Sequence, residues 1–212
     1  MGKTVYGGFT IEKQYFNKNY ASGRDSGKGS KGDYRFWKWG IINKYAEKLI
    51  KNECIDVGCG DLTFWESRNF FSKTVGGLRP CNNYVGIDFS DVIINRNIKK
   101  YPDRRFILSN SGFKQDLKAD VVLCLDLLFH IVNDAEYYAT LKNIIEYTKK
   151  YFFTYTWTYS PAVLNNTVPQ KYRLLENELK LFHNVGLILH EKNSSPYDPY
   201  GALYVFRREN ID

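Results

Sequence analysis

A short apolar strand runs directly into a glycine-rich turn at residues 53–61, Glu-Cys-Ile-Asp-Val-Gly-Cys-Gly-Asp. Glycine has no side chain, so Gly58 and Gly60 allow a ligand to lie against the backbone of the turn. Asp56 and Asp61 place two carboxylates beside that backbone. Carboxylates attract cations and repel phosphates. The segment therefore predicts a strand of a parallel sheet that ends at a site for a cationic ligand.

Strand-like apolar runs alternate with segments of helical periodicity along the chain. The predicted strands are Cys54–Val57, Tyr84–Ile87, Arg105–Leu108, Asp120–Leu125, Tyr151–Thr156, Leu187–His190 and Ala202–Arg207. The predicted helices are Tyr34–Ile50, Leu62–Phe71, Asp91–Lys100 with Ser90 as its N-cap, Asp134–Lys149 and Asn177–Asn184. This alternation predicts an α/β fold with a mostly parallel sheet and right-handed crossovers. Ligands of such sheets bind beyond the carboxyl ends of the strands.

The length of 212 residues and the 43% apolar content predict a single domain with a full-sized core. In that domain, we expect residues 1–50 to form a loop and a helix over the ligand site, and residues 51–212 to form the core. No apolar run is long enough to span a membrane, and the N-terminus lacks a secretory signal. The four cysteines have no paired spacing, which favours a reducing, cytoplasmic location and argues against zinc.

A net charge of +7 is compatible with an anionic partner such as nucleic acid, or with solubility alone. The basic residues are scattered, except between Lys28 and Lys38. Charge by itself therefore leaves both possibilities open, and the residues at the strand ends carry more information.

The ends of the first three predicted strands narrow the ligand class. A dinucleotide site requires a third glycine at position 63, which is Thr63, and a Walker-type phosphate loop requires Gly-Lys-Ser/Thr, which is absent from the sequence. Asp88 ends the second strand, where a carboxylate suits the two ribose hydroxyls of a nucleoside; capping of the next helix is the alternative. Ser109 and Asn110 end the third strand and suit an adenine edge.

Asp126 closes the fourth strand, and His130 follows four residues later. If the chain turns into a helix there, this spacing brings the two side chains to one side. A carboxylate that orients an imidazole is a plausible general base. The alternative is a structural histidine whose hydrogen bonds are satisfied.

Together these residues resemble the class I S-adenosylmethionine-dependent methyltransferases. Three segments carry the resemblance in the family's order: Ile55–Asp61, Val85–Ser90 and Leu125–Ile131. The resemblance implies a Rossmann-like fold with a seven-stranded sheet, and S-adenosyl-L-methionine as the cofactor. We assign these residues to the cofactor: Asp56, Gly58, Cys59, Gly60, Asp61, Asp88, Phe89, Ser109, Asn110 and Leu125.

The N-terminal part is similar to one subgroup of that family. Tyr15–Tyr20, Ser26–Ser30 and Trp37–Asn43 follow its patterns Y-W-x-x-R-Y, S-G-x-G-S and F-K-A-E-V-I-N, and Asp126–Asp134 follows D-x-x-x-H-x-V-x-D. The chain departs from the subgroup at Gly40, where Glu is usual. It departs again where Leu-Thr-Phe at 62–64 replaces Gly-Asn-Gln.

Members of the subgroup often occur with glycan-building enzymes, including those of large algal viruses, where a rhamnose hydroxyl is methylated. The resemblance therefore implies a glycan or nucleotide-sugar acceptor, with His130 as the base and Asp126 as its partner. The residues predicted to contact the acceptor are Lys38, Tyr155, Trp157, Tyr159 and Arg173.

Three other functions remain open from the sequence. A nucleic-acid methyltransferase would usually carry Asn/Asp-Pro-Pro-aromatic at the fourth strand end, where this chain has Asp-Leu-Leu-Phe. A binding module with a methyltransferase fold would not bind the cofactor. A metal-assisted sugar methyltransferase would use Asp126 and Asp134 as oxygen ligands.

Overall fold

A computed structural model of the protein describes residues 11–47, 49–50, 53–65, 83–159 and 168–209. The described strands are β1 (Glu53–Val57), β2 (Asn83–Asp88), β3 (Arg105–Leu108), β4 (Ala119–Leu125), β5 (Thr148–Trp157), β6 (Leu187–Ser194) and β7 (Gly201–Arg208). The described α-helices are α1 (Ile11–Ala21), α2 (Gly32–Ala46), α3 (Asp91–Lys100), α4 (Asp134–Tyr147) and α5 (Leu179–His183). Short 3-10 helices span Lys28–Ser30, Leu128–His130 and Leu175–Glu178.

The strands form one sheet in the order β3-β2-β1-β4-β5-β7-β6. β1 lies between β2 and β4, and the pairs from β3 to β5 are parallel. β7 is antiparallel to both of its neighbours, β5 and β6. From β1 to β3 the chain adds strands on one side of β1, and after β3 it crosses to the other side and forms β4. The carboxyl ends of β1 and β4 therefore lie side by side at the point where ligands of such sheets bind.

Apolar side chains fill both sides of the sheet. One core cluster takes Trp39 and Ile42 from α2 and Ile93 from α3. The other takes Leu141 from α4 and Phe182 from α5. The predicted α/β fold with helices on both faces of a mostly parallel sheet is therefore confirmed.

The structure departs from the prediction near the glycine turn and in the N-terminal segment. Residues 61–65, where a helix was predicted to begin, form turns, and residues 66–71 lie outside the described ranges. Helix α1 was not predicted at all, since its stretch shows no sustained apolar periodicity. Cys54, Cys59 and Cys124 are buried free thiols, and Cys81 lies outside the described ranges. None of the helices in the described part of the chain has the length and hydropathy that crossing a membrane requires.

Candidate functional site

The turn after β1 folds back on the end of β2. The amides of Gly58 and Cys59 donate to the carbonyl oxygen of Ile87, at 2.8 and 3.1 Å. Gly58 and Gly60 have φ angles of 77° and 54°, a left-handed backbone conformation that residues with a side chain rarely adopt. A Cβ at Gly58 would lie 2.9 Å from a methyl carbon of Leu127. Glycine is therefore required here both for backbone conformation and for space.

Asp88 joins the glycine turn to the start of α3. One oxygen of its carboxylate accepts from the amide of Gly60 at 3.0 Å, and the other accepts from the amide of Ser90 at 2.9 Å. Burial raises the pKa of Asp88 to about 6. Each carboxylate oxygen has a further lone pair, so the group can still accept hydrogen bonds from a ligand.

Asp56 is held by two side chains that the sequence did not reveal as site residues. Its Oδ2 accepts from Nε1 of Trp65 at 2.7 Å and from the hydroxyl of Tyr84 at 3.0 Å. Burial raises the pKa of Asp56 to about 6, since desolvation disfavours the charged form more than these two donors favour it. The carboxylate is thus fixed in place at the floor of the site.

Asp61 connects the glycine turn to the N-terminal segment. Its carboxylate accepts from the amide and the hydroxyl of Ser26, at 3.0 and 2.7 Å. The hydroxyl of Ser26 in turn accepts from the amide of Asp61 at 3.0 Å. Ser26 therefore fixes the N-terminal segment over the turn.

A cleft in two connected parts opens at this edge of the sheet, with about 420 and 660 Å³ of space, open mouth included. Both parts are lined by Phe16, Gly58, Asp88, Phe89, Leu127 and His130. Ser109 and Asn110 line only the smaller part. The larger part is lined by further predicted residues, which are Asp56, Cys59, Gly60, Asp61, Leu125 and Asp126. All ten residues that were assigned to the cofactor thus lie around one cleft.

The N-terminal segment, residues 11–47, forms one wall of this cleft. Its lining residues are Glu12, Phe16, Tyr20, Ser26 and Ser30. All five lie within residues 1–50, and Ser26 and Ser30 belong to the glycine- and serine-rich stretch before α2. The others belong to α1, whose weak periodicity hid it from sequence analysis.

His130 lies in the 3-10 helix after β4 and lines both parts of the cleft. Its Nδ1 is 3.0 Å from the carbonyl oxygen of Pro169. A carbonyl can only accept, so Nδ1 carries the proton and Nε2 of the neutral ring keeps its lone pair. Burial lowers the pKa of His130, which keeps the ring neutral at pH 7. The ring edge packs against Phe16, with the centroids 5.1 Å apart.

The predicted pairing of Asp126 with His130 is wrong in its geometry. Oδ2 of Asp126 accepts from Nζ of Lys38 at 2.5 Å, and Nδ1 of His130 is occupied by Pro169. Asp126 has a φ of 58°, which directs the chain away from the helical path that the four-residue spacing assumed. The orienting partner of His130 is therefore a backbone carbonyl, and Asp126 acts on it only through its charge.

Lys38 and Tyr155 are not among the residues that line the cleft, and their predicted contact with an acceptor stays a prediction. Lys38 is fully buried, and its Nζ also donates to the carbonyl of Gly29 at 3.0 Å and lies 3.9 Å from the ring centroid of Tyr155. Tyr155 is buried as well, and its hydroxyl donates to Asp198 at 3.0 Å. These two residues hold Asp126 and the Lys28–Ser30 turn in place from behind the cleft wall.

Arg173 is also occupied by the protein itself. It donates to the carbonyls of Ile131 and Val132, at 2.6 and 3.1 Å, and to Asp134 at 2.8 Å. Asp134 is bound by Lys171 as well, so the carboxylates of Asp134 and Asp126 each have their own cation. A shared metal site for these two carboxylates is not supported.

Trp157 is the last residue of β5 and Tyr159 follows two residues later, and neither is among the residues that line the cleft. Trp157 stacks on Phe129 with the centroids 4.5 Å apart, and Tyr159 is about half exposed beside Tyr200. Contact of these two rings with an acceptor stays a prediction.

Neither a protein-family model nor a curated protein matches the sequence. Solved structures do match. The N-methyltransferase NodS of Bradyrhizobium japonicum, in complex with S-adenosyl-L-homocysteine, has a TM-score of 0.69 at 12% identity, covering 95% of this chain and 100% of that chain. The chain has the fold of a class I S-adenosylmethionine-dependent methyltransferase.

Two further solved structures of methyltransferases are similar to this chain. The magnesium protoporphyrin IX methyltransferase of Synechocystis, with bound S-adenosylhomocysteine, has a TM-score of 0.65 at 14% identity, covering 94% of this chain and 99% of that chain. An S-adenosylmethionine-dependent methyltransferase of Clostridium acetobutylicum has a TM-score of 0.61 at 14% identity, covering 84% of this chain and 93% of that chain. At this level of identity the similarity establishes the methyltransferase fold, and the function has to be argued from the residues of the cleft.

Proposed function

We propose that the protein is an S-adenosylmethionine-dependent methyltransferase that methylates a sugar hydroxyl. The observation that carries this proposal is the cleft itself, which gathers the glycine turn, Asp88 and His130 at one edge of the sheet. Several neighbours in fold are described with S-adenosylmethionine or its product bound, which supports the same ligand here.

The residues of the cleft suit the parts of this cofactor. The unencumbered backbone at Gly58 and Gly60 suits the methionine moiety, and Asp56 suits its ammonium group. Asp88 retains lone pairs for the ribose hydroxyls, and Asn110 has an amide for the adenine edge. When bound, the cofactor supplies a methyl group that its sulfonium already activates. The protein then has to align the acceptor and remove its proton.

His130 is the proposed general base. A sugar hydroxyl is a weak nucleophile at neutral pH, so removal of its proton during transfer lowers the barrier. The hydrogen bond from Nδ1 to Pro169 leaves Nε2 as the basic nitrogen, and the lowered pKa of His130 keeps that nitrogen unprotonated. The carbonyl oxygen of Pro169 thus orients the His130 ring, a role that a carboxylate has in many other general bases.

The sugar acceptor rests on the similarity of the N-terminal motifs to the glycan-associated subgroup, with rhamnose as the first sugar to test. The nucleic-acid alternative lacks such support. A screen with labelled cofactor against glycans, RNAs and proteins separates these acceptors directly.

Calorimetry and transfer assays on two variants test the proposal. Asp88→Ala should weaken cofactor binding by at least about tenfold, since the variant loses the ribose acceptor and the turn contact. His130→Ala should bind the cofactor normally and lose transfer by about 10² to 10⁴-fold.

The exposed His190 provides a matched control, and His190→Ala should be unchanged in both assays. Wild-type kcat/KM should fall in acid with a midpoint below the ordinary histidine pKa. Wild-type turnover in His130→Ala, or undiminished cofactor affinity in Asp88→Ala, would remove that residue from its role.

A further inference from the structure

The methionine moiety of S-adenosylmethionine carries an ammonium group and a carboxylate group, and each needs a partner in the cleft. Asp56 suits the ammonium group, because its Oδ2 accepts from Trp65 and Tyr84 while its Oδ1 has no hydrogen bond from the described residues. For the carboxylate, the described residues that line the cleft include neither Lys nor Arg. This lining can therefore bind a carboxylate only through neutral hydrogen-bond donors.

Three hydroxyl groups of the described residues line the larger part of the cleft, those of Tyr20, Ser26 and Ser30. The Ser26 hydroxyl donates its proton to Asp61 at 2.7 Å. The Tyr20 hydroxyl is 3.4 Å from the Ser26 oxygen, and Tyr20 is the donor there because the proton of Ser26 is already used. The Ser30 hydroxyl has no hydrogen bond to any described residue, so its proton remains for a ligand.

The burial of Ser30 distinguishes it from an ordinary surface serine. The residue is only 9% exposed, although it lines the cleft. Polar groups that are this deeply buried in folded proteins nearly always have a hydrogen-bond partner. An anionic oxygen in the cleft would accept the bond that the Ser30 hydroxyl does not make within the described part of the protein.

The turn that contains Ser30 is fixed on both sides. On one side, Ser26 is bound to the end of the glycine turn after β1. On the other side, Lys38 donates to the carbonyl of Gly29 at 3.0 Å and to the carboxylate of Asp126 at the end of β4. The ion pair with Lys38 also compensates the charge of Asp126 beside this turn. Ser30 is therefore held at the carboxyl ends of β1 and β4, where the methionine moiety is proposed to lie.

We infer that the hydroxyl of Ser30 binds the carboxylate of the cofactor's methionine moiety. The inference rests on the proposed function and adds to it a binding residue from the N-terminal segment. Ser30 and Asp56 then bind the two opposite charges of one amino acid moiety. Selection of that moiety would thus depend on the Lys28–Ser30 turn as well as on the sheet.

Calorimetry with two ligands tests this contact without any methyl acceptor. The ligands are S-adenosylhomocysteine and its decarboxylated analogue, which keeps the amine and lacks only the carboxylate. The wild-type protein should bind S-adenosylhomocysteine about tenfold or more tightly than the analogue, since a hydrogen bond to a charged group is lost with the carboxylate. Equal affinity for the two ligands would mean that the carboxylate has no partner in the cleft, and would overturn the inference.

Variants of Ser30 assign the preference to this hydroxyl. Ser30→Ala should bind S-adenosylhomocysteine about tenfold more weakly and the decarboxylated analogue as well as wild type does, so that the preference disappears. Ser30→Cys keeps the shape of the side chain and has only a weak donor, so it should show the same loss if the alanine variant does not fold. An equal loss of affinity for both ligands would indicate a purely structural role and would contradict the contact.

Ser22 provides the matched control. Its hydroxyl is exposed in the loop after α1 and donates to the carbonyl of Asn19 at 2.8 Å, so Ser22→Ala should keep the wild-type preference. Failure of the wild-type protein to bind S-adenosylhomocysteine would refute the proposed function. Normal binding of S-adenosylhomocysteine with an unchanged preference in the Ser30 variants would refute only this inference.

Discussion

Asp126 and Leu62 have positive φ angles of 58° and 65°, a conformation that costs residues with a side chain about 1–2 kcal/mol. Both residues flank the cleft, one at the end of β4 and one in the turn after β1. Leu62 is buried, so its apolar contacts offset the cost, and it stands where the related pattern has glycine. The carboxylate of Asp126 is bound by Lys38, and the amide of Asp126 donates to the backbone carbonyl of Tyr155. The strain at these two residues shapes the rim of the cleft.

Asp56 should be a residue at which stability and ligand binding conflict. Burial raises its pKa to about 6, so above pH 6 the folded protein carries a charge that the unfolded chain holds more easily. Asp56→Asn should therefore stabilise the ligand-free protein by about 1–3 kcal/mol at pH 7.5. Urea unfolding measures this gain.

The same variant should bind the cofactor more weakly in calorimetry, because the carboxylate that suits the ammonium group is lost. Its gain in stability should disappear between pH 6 and pH 4, where the wild-type carboxyl group becomes protonated in the folded protein. A variant that is less stable than wild type at pH 7.5 would show that the hydrogen bonds from Trp65 and Tyr84 outweigh the desolvation of Asp56.

At the scale of elements, local signals predicted some boundaries correctly. Helix α3 has the predicted bounds because Ser90 caps it, with its hydroxyl accepting from the amide of Ile93 at 3.3 Å. In contrast, α4 passes into β5 at Thr148 without glycine or proline, so its end and the start of the strand were both predicted wrongly. Sequence patterns locate an element where a capping residue or turn marks it.

The predicted site residues also divide into those that a local sequence signal locates and those that depend on tertiary contacts. The residues predicted to bind the cofactor lie around one cleft because they follow strands of a parallel sheet, whose carboxyl ends meet at one edge. The sequence did not reveal that Lys38 and Arg173 bind carboxylates and carbonyls of the protein itself, because a long polar side chain gives no sign of whether it faces a ligand or another part of the chain. That choice depends on tertiary contacts between segments more than 40 residues apart.

The turn before α2 permits a matched pair of glycine substitutions. In Gly29→Ala the new Cβ would lie 2.5 Å from Oδ1 of Asp126, which should displace the carboxylate and lower stability by about 1–3 kcal/mol. Gly40→Ala, within α2, adds a Cβ with no atom within 4 Å and should raise stability by about 1 kcal/mol.

Chemical unfolding of both variants checks these values. Cofactor binding should weaken only in Gly29→Ala, because Asp126 lines the cleft and Gly40 does not. Equal stability of the two variants would mean that the Lys28–Ser30 turn can move away from Asp126 without cost.

At the scale of the whole molecule, the N-terminal segment is fixed to the sheet layer at several points. Asn17 donates to Asp91 at 2.8 Å, Arg96 donates to the carbonyl of Tyr20 at 2.6 Å, and Ser26 binds Asp61. These contacts connect α1 and the following loop to the glycine turn and to α3. A ligand in the cleft touches both the segment and the sheet, so it should hold the two together.

Limited proteolysis tests this coupling. Arg24 is exposed in the loop after α1, and trypsin should cut there in the free protein. Saturating S-adenosylhomocysteine should slow that cut by about tenfold or more, since the ligand stabilises the closed arrangement by mass action. Cleavage at Lys114, which is exposed and outside the cleft, serves as the internal reference in mass spectrometry. Equal rates at Arg24 with and without ligand would contradict the coupling.

The position of β7 has a consequence for how the chain folds. β7 follows β6 in sequence but lies between β5 and β6 in the sheet. During synthesis on the ribosome, β6 therefore has no neighbour until β7 has emerged. The two strands pair with each other as a hairpin, which is a local and fast step. We expect the hairpin to join the edge of β5 as a finished unit, so that the sheet is completed by docking of a preformed ribbon rather than by adding strands one at a time.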